Sequence, residues 1–421
     1  MITPEEFSRL RYGMIVHYGL YSATGRGEWE INRARFSRAE ADREAAAFDP
    51  SRFDADALCR LAVDGGMKYI VFTTMHHDGF RLYDTALSPR NSMRMNGRDL
   101  VAEVVAAARA HGLKIALYHS LNNLYDQPDG VDALENPAAR RVFVDAAFAR
   151  LRELVERFRP FDVLWYDGWW PLNAAGWEAE RMNAEMGRLL PGVLFNGRNG
   201  LPGDFGTPER HLTAPDPWRP WEAGITLNDH WGFHAADHNW KSPLSVVQML
   251  LTCANRRGNL LLNVGPRGDG VVPEASAEII RKVGAWLRDE GGAEAVEDPE
   301  TLTFGPEIRQ PGDRGDWDGQ GVFTAKDHRL FLTMLYPLPG PYTLTGLETR
   351  VERVDSPRGP LDFRQEDDRL TVAIPDDLAR RFCPVLKMTC ATKPSIYRTG
   401  GMRVPNVEHP RYDPCPPDLL Y

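Results

Sequence analysis

What this chain lacks narrows its reading first. The five cysteines, at 59, 253, 383, 390 and 415, are scattered, odd in number and form no CxxC pair. They support neither a disulfide framework nor a structural zinc site, and suit the reduced thiols of an intracellular protein. Positive charge is also scarce. A formal net charge of −9 over 421 residues argues against general attraction to nucleic acid or an anionic membrane. No block of like charge forms a tail, and no apolar run reaches the ~18 residues of a transmembrane helix. The N-terminus, Met1-Ile-Thr-Pro-Glu-Glu-Phe7, lacks the basic and apolar regions of a signal peptide. A cytoplasmic location is the expectation.

What is present is a repeated unit. Tyr12–His17, Tyr69–Thr74, Lys114–Tyr118, Phe161–Asp167, Val193–Phe195 and Leu260–Val264 read as buried strands. Between them stand amphipathic segments. Asp99 caps a stripe of Leu100, Val101, Val104, Val105 and Ala108 that Gly112 ends, and Phe148, Leu151, Leu154, Val155 and Phe158 form another. Alternation of this kind predicts parallel α/β. His17, His76, His119, Asp167 and Arg198 all fall at strand C-termini, and convergence on one rim suits a closed barrel better than an open sheet. The expected fold is therefore a (β/α)8-like, TIM-type barrel, regular or irregular, over residues 1–296. Residues 297–395 switch to short strands punctuated by Pro, Gly and Asp, which predicts a small antiparallel β-sandwich. Residues 396–421 have no periodicity and read as an irregular tail. The stretch 199–242, rich in Pro, Trp and charge, reads as one long irregular loop, and such loops are usually functional.

Three groups of residues carry candidate chemistry. Asp167 ends a short apolar strand and precedes Gly168-Trp169-Trp170; it is either a cap for the next helix or a carboxylate on a catalytic rim. Eight of the eleven tryptophans lie between Trp165 and Trp240, a density that points to a ligand with apolar CH faces, as sugars have. Glycoside hydrolysis usually needs a second carboxyl group, and Glu209 and Glu222 are the candidates in the irregular stretch. His17, His76, His77 and His119 could ligate a metal, but adjacent strand residues such as His76 and His77 point to opposite faces, and no HxH or HExxH pattern is present. Imidazoles hydrogen-bonding sugar hydroxyls fit the company better.

Together these stretches resemble the α-L-fucosidases of glycoside hydrolase family 29. The likeness rests on Arg11-Tyr-Gly-Met-Ile-Val-His17-Tyr-Gly, Gly27-Glu28-Trp29, Lys68-Tyr-Ile-Val-Phe-Thr-Thr-Met-His-His-Asp-Gly-Phe80, Leu164-Trp-Tyr-Asp167-Gly and Gly258-Asn-Leu-Leu-Leu-Asn-Val-Gly-Pro266. The resemblance implies a retaining exo-α-L-fucosidase that acts on terminal fucosyl residues of glycosides or glycans. It implies Asp167 as nucleophile and Glu209 as acid/base, with Glu222 as second choice. His17, Glu28, Trp29, His76, His77, Trp165 and Arg198 match fucose-binding positions, as does one of Tyr118 and His119. Met75, Tyr18 and Asn196-Gly-Arg198 depart from the usual pattern and bear on fine specificity. No metal or organic cofactor is implied, and a homo-oligomer is compatible with such a chain. Two other readings stay open: a metal-dependent barrel hydrolase using the rim histidines, and a non-catalytic fucose-binding protein.

Overall fold

The computed structural model describes residues 1–297, 299 and 321–395, so the tail expected over 396–421 lies outside the described residues. Two compact units are formed. The first comprises Met1–Arg210, Pro215–Lys241 and Asn259–Arg281; the second comprises His211–Ala214, Ser242–Gly258 and the chain from Lys282 onward.

The first unit is built on seven parallel strands: β1 (Tyr12–Val16), β2 (Tyr69–Met75), β3 (Lys114–Ser120), β4 (Val163–Asp167), β5 (Leu194–Phe195), β6 (Glu222–Thr226) and β7 (Asn259–Val264). Their order is β5-β4-β3-β2-β1-β7-β6. β1, β2 and β7 are buried along their whole length, as strands covered on both faces must be. Between β5 and β6, residues 204–210 bridge both edges. Asp204 N donates to Phe195 O at 2.7 Å, Gly206 N to Pro220 O at 2.9 Å and Gly224 N to Pro208 O at 3.0 Å. Parallel bridges pair Asn196 with Phe205, and Gly206 and Glu209 with Trp221 and Gly224. This stretch acts as an irregular eighth strand, and the ring closes in chain order as a TIM-type barrel does.

The helices follow the sequence pattern closely. Asp54 and Asp99 cap Ala55–Asp64 and Leu100–Ala110 by accepting from Ala57 N and Ala102 N at 2.9 Å each. Leu100, Val101, Val104, Val105 and Ala108 are the buried face. Helix Pro137–Phe158 runs eleven residues longer at its start than its apolar stripe predicts, because Asn136 caps it and Pro137 opens it. The single irregular loop expected over 199–242 is corrected by the eighth-strand segment and β6. Glu222-Ala-Gly-Ile-Thr226 has too few apolar residues to show a strand period, and its parallel ladder to β7 is what holds it extended.

In the second unit β8 (Gly321–Lys326), β9 (Arg329–Met334), β10 (Gly340–Thr345), β11 (Val351–Ser356), β12 (Gly359–Pro360), β13 (Phe363–Glu366), β14 (Arg369–Ile374) and β15 (Val385–Cys390) make two antiparallel sheets. Their orders are β12-β11-β15-β9-β8 and β10-β14-β13. The expected β-sandwich is present, around a core that includes Phe323, Leu330, Leu332, Val354, Leu370, Val372 and Leu386. No helix among the described residues is long and apolar enough to cross a membrane.

Candidate active site

At the C-terminal ends of the barrel strands a cavity of about 370 Å³ opens, near the lower end of the ~300–1,000 Å³ usual for small-molecule sites. Asp167, the last residue of β4, lies in its wall. The carboxylate is held by two groups from two other parts of the barrel, with a third ring close by. Tyr118 Oη, from β3, donates to Oδ2 at 2.7 Å; Arg198 Nη1, just beyond β5, donates to Oδ1 at 3.2 Å; His77 Nε2 stands 3.7 Å from Oδ2. Burial alone would raise this carboxyl, but the Arg198 guanidinium, with the Tyr118 hydrogen bond, outweighs it and holds the pKa below the usual aspartate value. Arg198 also reaches Glu209 on the irregular strand, through Nη2 to Oε2 at 2.9 Å. One guanidinium thus links two carboxylates that differ in exposure: the Asp167 side chain is 14% exposed and that of Glu209 44%.

The turn after Asp167 demands glycine. Gly168 has φ +65°, and an added Cβ would sit 2.8 Å from Ser120 Oγ and 2.9 Å from His77 Nδ1. Gly168→Ala is expected to destabilise the fold by about 1–3 kcal/mol and to displace His77. Thermal denaturation checks it; a wild-type melting temperature would show that the turn tolerates a side chain.

Aromatic rings and imidazoles make the rest of the wall. Trp29 packs on His77 with centroids 5.0 Å apart and on Trp170 at 5.8 Å, and Trp231 tilts against His17 at 5.0 Å. Trp165 stacks on Tyr118 at 5.3 Å and lies under the Arg198 guanidinium, 5.1 Å from its carbon. The hydrogen-bond network assigns the histidine tautomers. Asn263 spends its amide N–H on Trp231 O, so its Oδ1 accepts from His17 Nδ1 at 2.7 Å. That leaves His17 Nε2 as an acceptor. Ser120 Oγ donates to Asn122 O and accepts from His77 Nδ1 at 2.6 Å. Burial, before any charge nearby, pushes His17, His76 and His77 below the ordinary imidazole range, so they are neutral near pH 7. Among the described residues no three His, Cys, Asp or Glu side chains converge as metal ligands would.

The model of the alpha-L-fucosidase family matches residues 2–292. The chain belongs to the alpha-L-fucosidase family. It is 27% identical over 328 residues to the tissue alpha-L-fucosidase of Rattus norvegicus, spanning 69% of each chain. Over 325 residues it is 25% identical to the alpha-L-fucosidase of Dictyostelium discoideum, covering 68% of this chain and 69% of that one. Alpha-L-fucosidase isoenzyme 1 from Paenibacillus thiaminolyticus superposes with a TM-score of 0.80 at 31% identity, over 92% of this chain and 100% of the other. The fucose complex of the Thermotoga maritima alpha-fucosidase gives 0.75 at 25% identity, over 92% and 97%. The protein is a glycoside hydrolase with the barrel and β-sandwich of that family.

Within this fucosidase family member, the cavity brings together Asp167, Glu209, His17, Glu28, Trp29, His76, His77, Tyr118, Trp165 and Arg198. His119 is not among them. It is fully buried outside the cavity, its Nδ1 donating to Thr74 Oγ1 at 2.8 Å and its Nε2 accepting from Arg150 Nε at 3.3 Å. Tyr118 is therefore the inward member of that pair, and all of His119's capacity is spent on structure. The opposite-face argument for His76 and His77 also fails. β2 stops at Met75, so both follow the strand, and their rings stand 4.1 Å apart beside the cavity. Glu222 borders the cavity from within β6 but is only 1% exposed, with Oε2 accepting from Tyr69 Oη and Oε1 from Trp165 Nε1, each at 2.7 Å. Burial pushes its carboxyl up to about 7, against the downward pull of Trp165, Tyr69 and Arg198. Trp231 was not singled out from sequence, although it lies in the tryptophan-dense stretch. It packs over Gly224 and donates from Nε1 to Glu209 Oε1 at 3.1 Å. Trp169 and Trp170 line the mouth, whereas Trp177 and Trp221 are fully buried.

The depressed Asp167 has a consequence for pH. Its ionised form contributes stability that is fully present above the unfolded aspartate value of about 3.9 and is lost as pH falls through the lower folded value. The acid limb of kcat/KM for a fucoside is accordingly expected below about pH 3.9. A limb set by Asp167 at or above that value in a pH profile would contradict the hold of Arg198 and Tyr118 on its carboxylate.

Proposed function

We propose that this protein is a retaining exo-α-L-fucosidase, with Asp167 as nucleophile and Glu209 as acid/base. The observation that carries the reading is the Asp167–Arg198–Glu209 bridge inside an aromatic cavity. Asp167 is ionised and immobilised, as a nucleophile must be, while Glu209 sits toward the open side where a leaving group departs. The Thermotoga maritima relative is known in complex with fucose, which supports a fucosyl ligand here.

In the first step Asp167 Oδ attacks the anomeric carbon as the bond to the leaving oxygen breaks, and Glu209 gives its proton to that oxygen. In the second, Glu209 takes a proton from water, whose oxygen attacks the same carbon and releases Asp167 from the ester. Each step inverts, so the product keeps the α configuration. Tyr118 and Arg198 hold the Asp167 charge before attack and receive it again after release. His17 Nε2 accepts a sugar hydroxyl proton, and Trp29, Trp165 and Trp231 offer apolar faces to the ring's CH groups. The cavity volume suits a single terminal sugar.

Incubating the protein with aryl glycosides, α-L-fucoside first, and following product configuration by NMR tests the reading. Release of α-L-fucose as the first product supports it; β-L-fucose as the first product would make the enzyme inverting, and no turnover of any α-L-fucoside would overturn the activity.

A further inference from the structure

Glu222 is a carboxyl group buried inside a barrel, and neither the nucleophile nor the acid/base role accounts for it. Burying a carboxyl is costly unless its oxygens are satisfied. Here both are, and by side chains from the two strands that flank β3: Tyr69 from β2 and Trp165 from β4, each donating at 2.7 Å. Tyr69 reaches across because β1 presents Gly13 beneath its ring, where any Cβ would collide with it. With an indole N–H on one oxygen and a phenol on the other, both oxygens of Glu222 are engaged within the wall, in a residue only 1% exposed. Glu209 lies opposite Gly224, two residues further along β6, with its side chain 44% exposed.

Trp165 is the element that this anchor controls. Indole orientation about χ2 is soft, and a single buried acceptor on Nε1 removes that freedom. The ring so fixed carries Tyr118 on one face, stacked at 5.3 Å and 21°, and supports the Arg198 guanidinium at 5.1 Å. Tyr118 and Arg198 are the two groups that hold Asp167. The path from Glu222 to the carboxylate therefore passes through one ring.

We propose that Glu222 is a positioning residue that locks the indole of Trp165 and, through it, the Tyr118 and Arg198 grip on Asp167, and that it takes no part in proton transfer to the leaving oxygen. The proposal rests on the reading of Asp167 as the nucleophile. Its test compares wild type, E222Q, E222L, W165F and the E222L/W165F pair on an aryl α-L-fucoside. Glutamine keeps an acceptor for Trp165 and a polar atom for Tyr69, so E222Q is expected to stay within about threefold of wild-type kcat. E222L keeps the volume and strands both donors, and is expected to lower kcat/KM about 10- to 100-fold through displacement of the wall. In the W165F background, which has no indole N–H, the same E222L change should cost about threefold or less, the loss being shared rather than additive. Azide should rescue none of the Glu222 variants.

The position of the ring is read separately, by the fluorine NMR resonance of Trp165 in fluorotryptophan-labelled protein, assigned by its loss in W165F. It should shift in E222L and hold in E222Q. If E222Q loses kcat by about a hundredfold or more and azide restores it, Glu222 is a proton-transfer group and the proposal is overturned. Additive losses in the double variant, or an unmoved resonance in E222L, also overturn it. Wild-type protein inactive on every α-L-fucoside sinks the fucosidase reading instead, and the resonance still decides whether Glu222 fixes the ring.

Discussion

Replacing Asp167 by glycine is expected to lower kcat for an aryl α-L-fucoside by about ten-thousand-fold or more, because the bond-forming group is removed while the pocket remains. The size of the effect follows from how completely the structure commits to this one carboxylate. Tyr118 and Arg198 both donate to it, so the mutant keeps a cavity lined with unspent donors and no anion. Such a cavity is suited to a small anion. Azide should enter it, attack the anomeric carbon on the face Asp167 used, and release β-L-fucosyl azide, the inverted product, with part of the rate restored. The experiment separates Asp167 from every other residue in the wall, since a binding residue would lose affinity without changing the product's configuration. Turnover within about tenfold of wild type in Asp167→Gly would remove the nucleophile assignment.

Legibility from sequence followed the range of the interactions involved. Asp99 and Gly112 were readable because capping is decided within three or four residues, and the stripe from Leu100 to Ala108 because its period is local. Asp167 and Arg198 were readable for a related reason: a polar residue ending an apolar strand stands out in one dimension. What failed depended on partners distant in the chain. β6 exists through its ladder to β7, whose residues are 37 positions away, and segment 204–210 through bonds to both β5 and β6. Whether Tyr118 or His119 turns inward is settled by Thr74 and Arg150, which absorb both nitrogens of His119 on the far side of β3. The pleat rule misplaced His76 and His77 because it was applied one residue past the strand's end. Glu222 shows the limit most clearly. As a glutamate in a Pro- and Trp-rich stretch it looked like a rim carboxylate, and only the three-dimensional approach of Tyr69 and Trp165 makes it a buried one.

Replacing Glu209 by alanine is the complementary experiment, and its outcome depends on the leaving group. For a glycan or alkyl fucoside the departing oxygen needs a proton, so the loss is expected to be about 100- to 10,000-fold. For a dinitrophenyl fucoside the leaving phenolate needs none, and the first step should proceed almost undiminished; the glycosyl-Asp167 ester then accumulates because water lacks its base. Azide requires no base and should discharge the ester at once. It attacks a carbon already inverted by Asp167, so the product is α-L-fucosyl azide, opposite in configuration to that from the Asp167 variant. The structure also foresees the secondary damage. Arg198 and the Trp231 indole lose a shared acceptor, at 2.9 and 3.1 Å, so KM should rise as well. Glu209→Gln, which keeps an acceptor for one of them, should retain more of the binding while losing the proton transfer equally. A Glu209→Ala enzyme that cleaves a glycan at the wild-type rate would pass the acid/base role to another group, and the azide response of E222Q would then decide whether that group is Glu222.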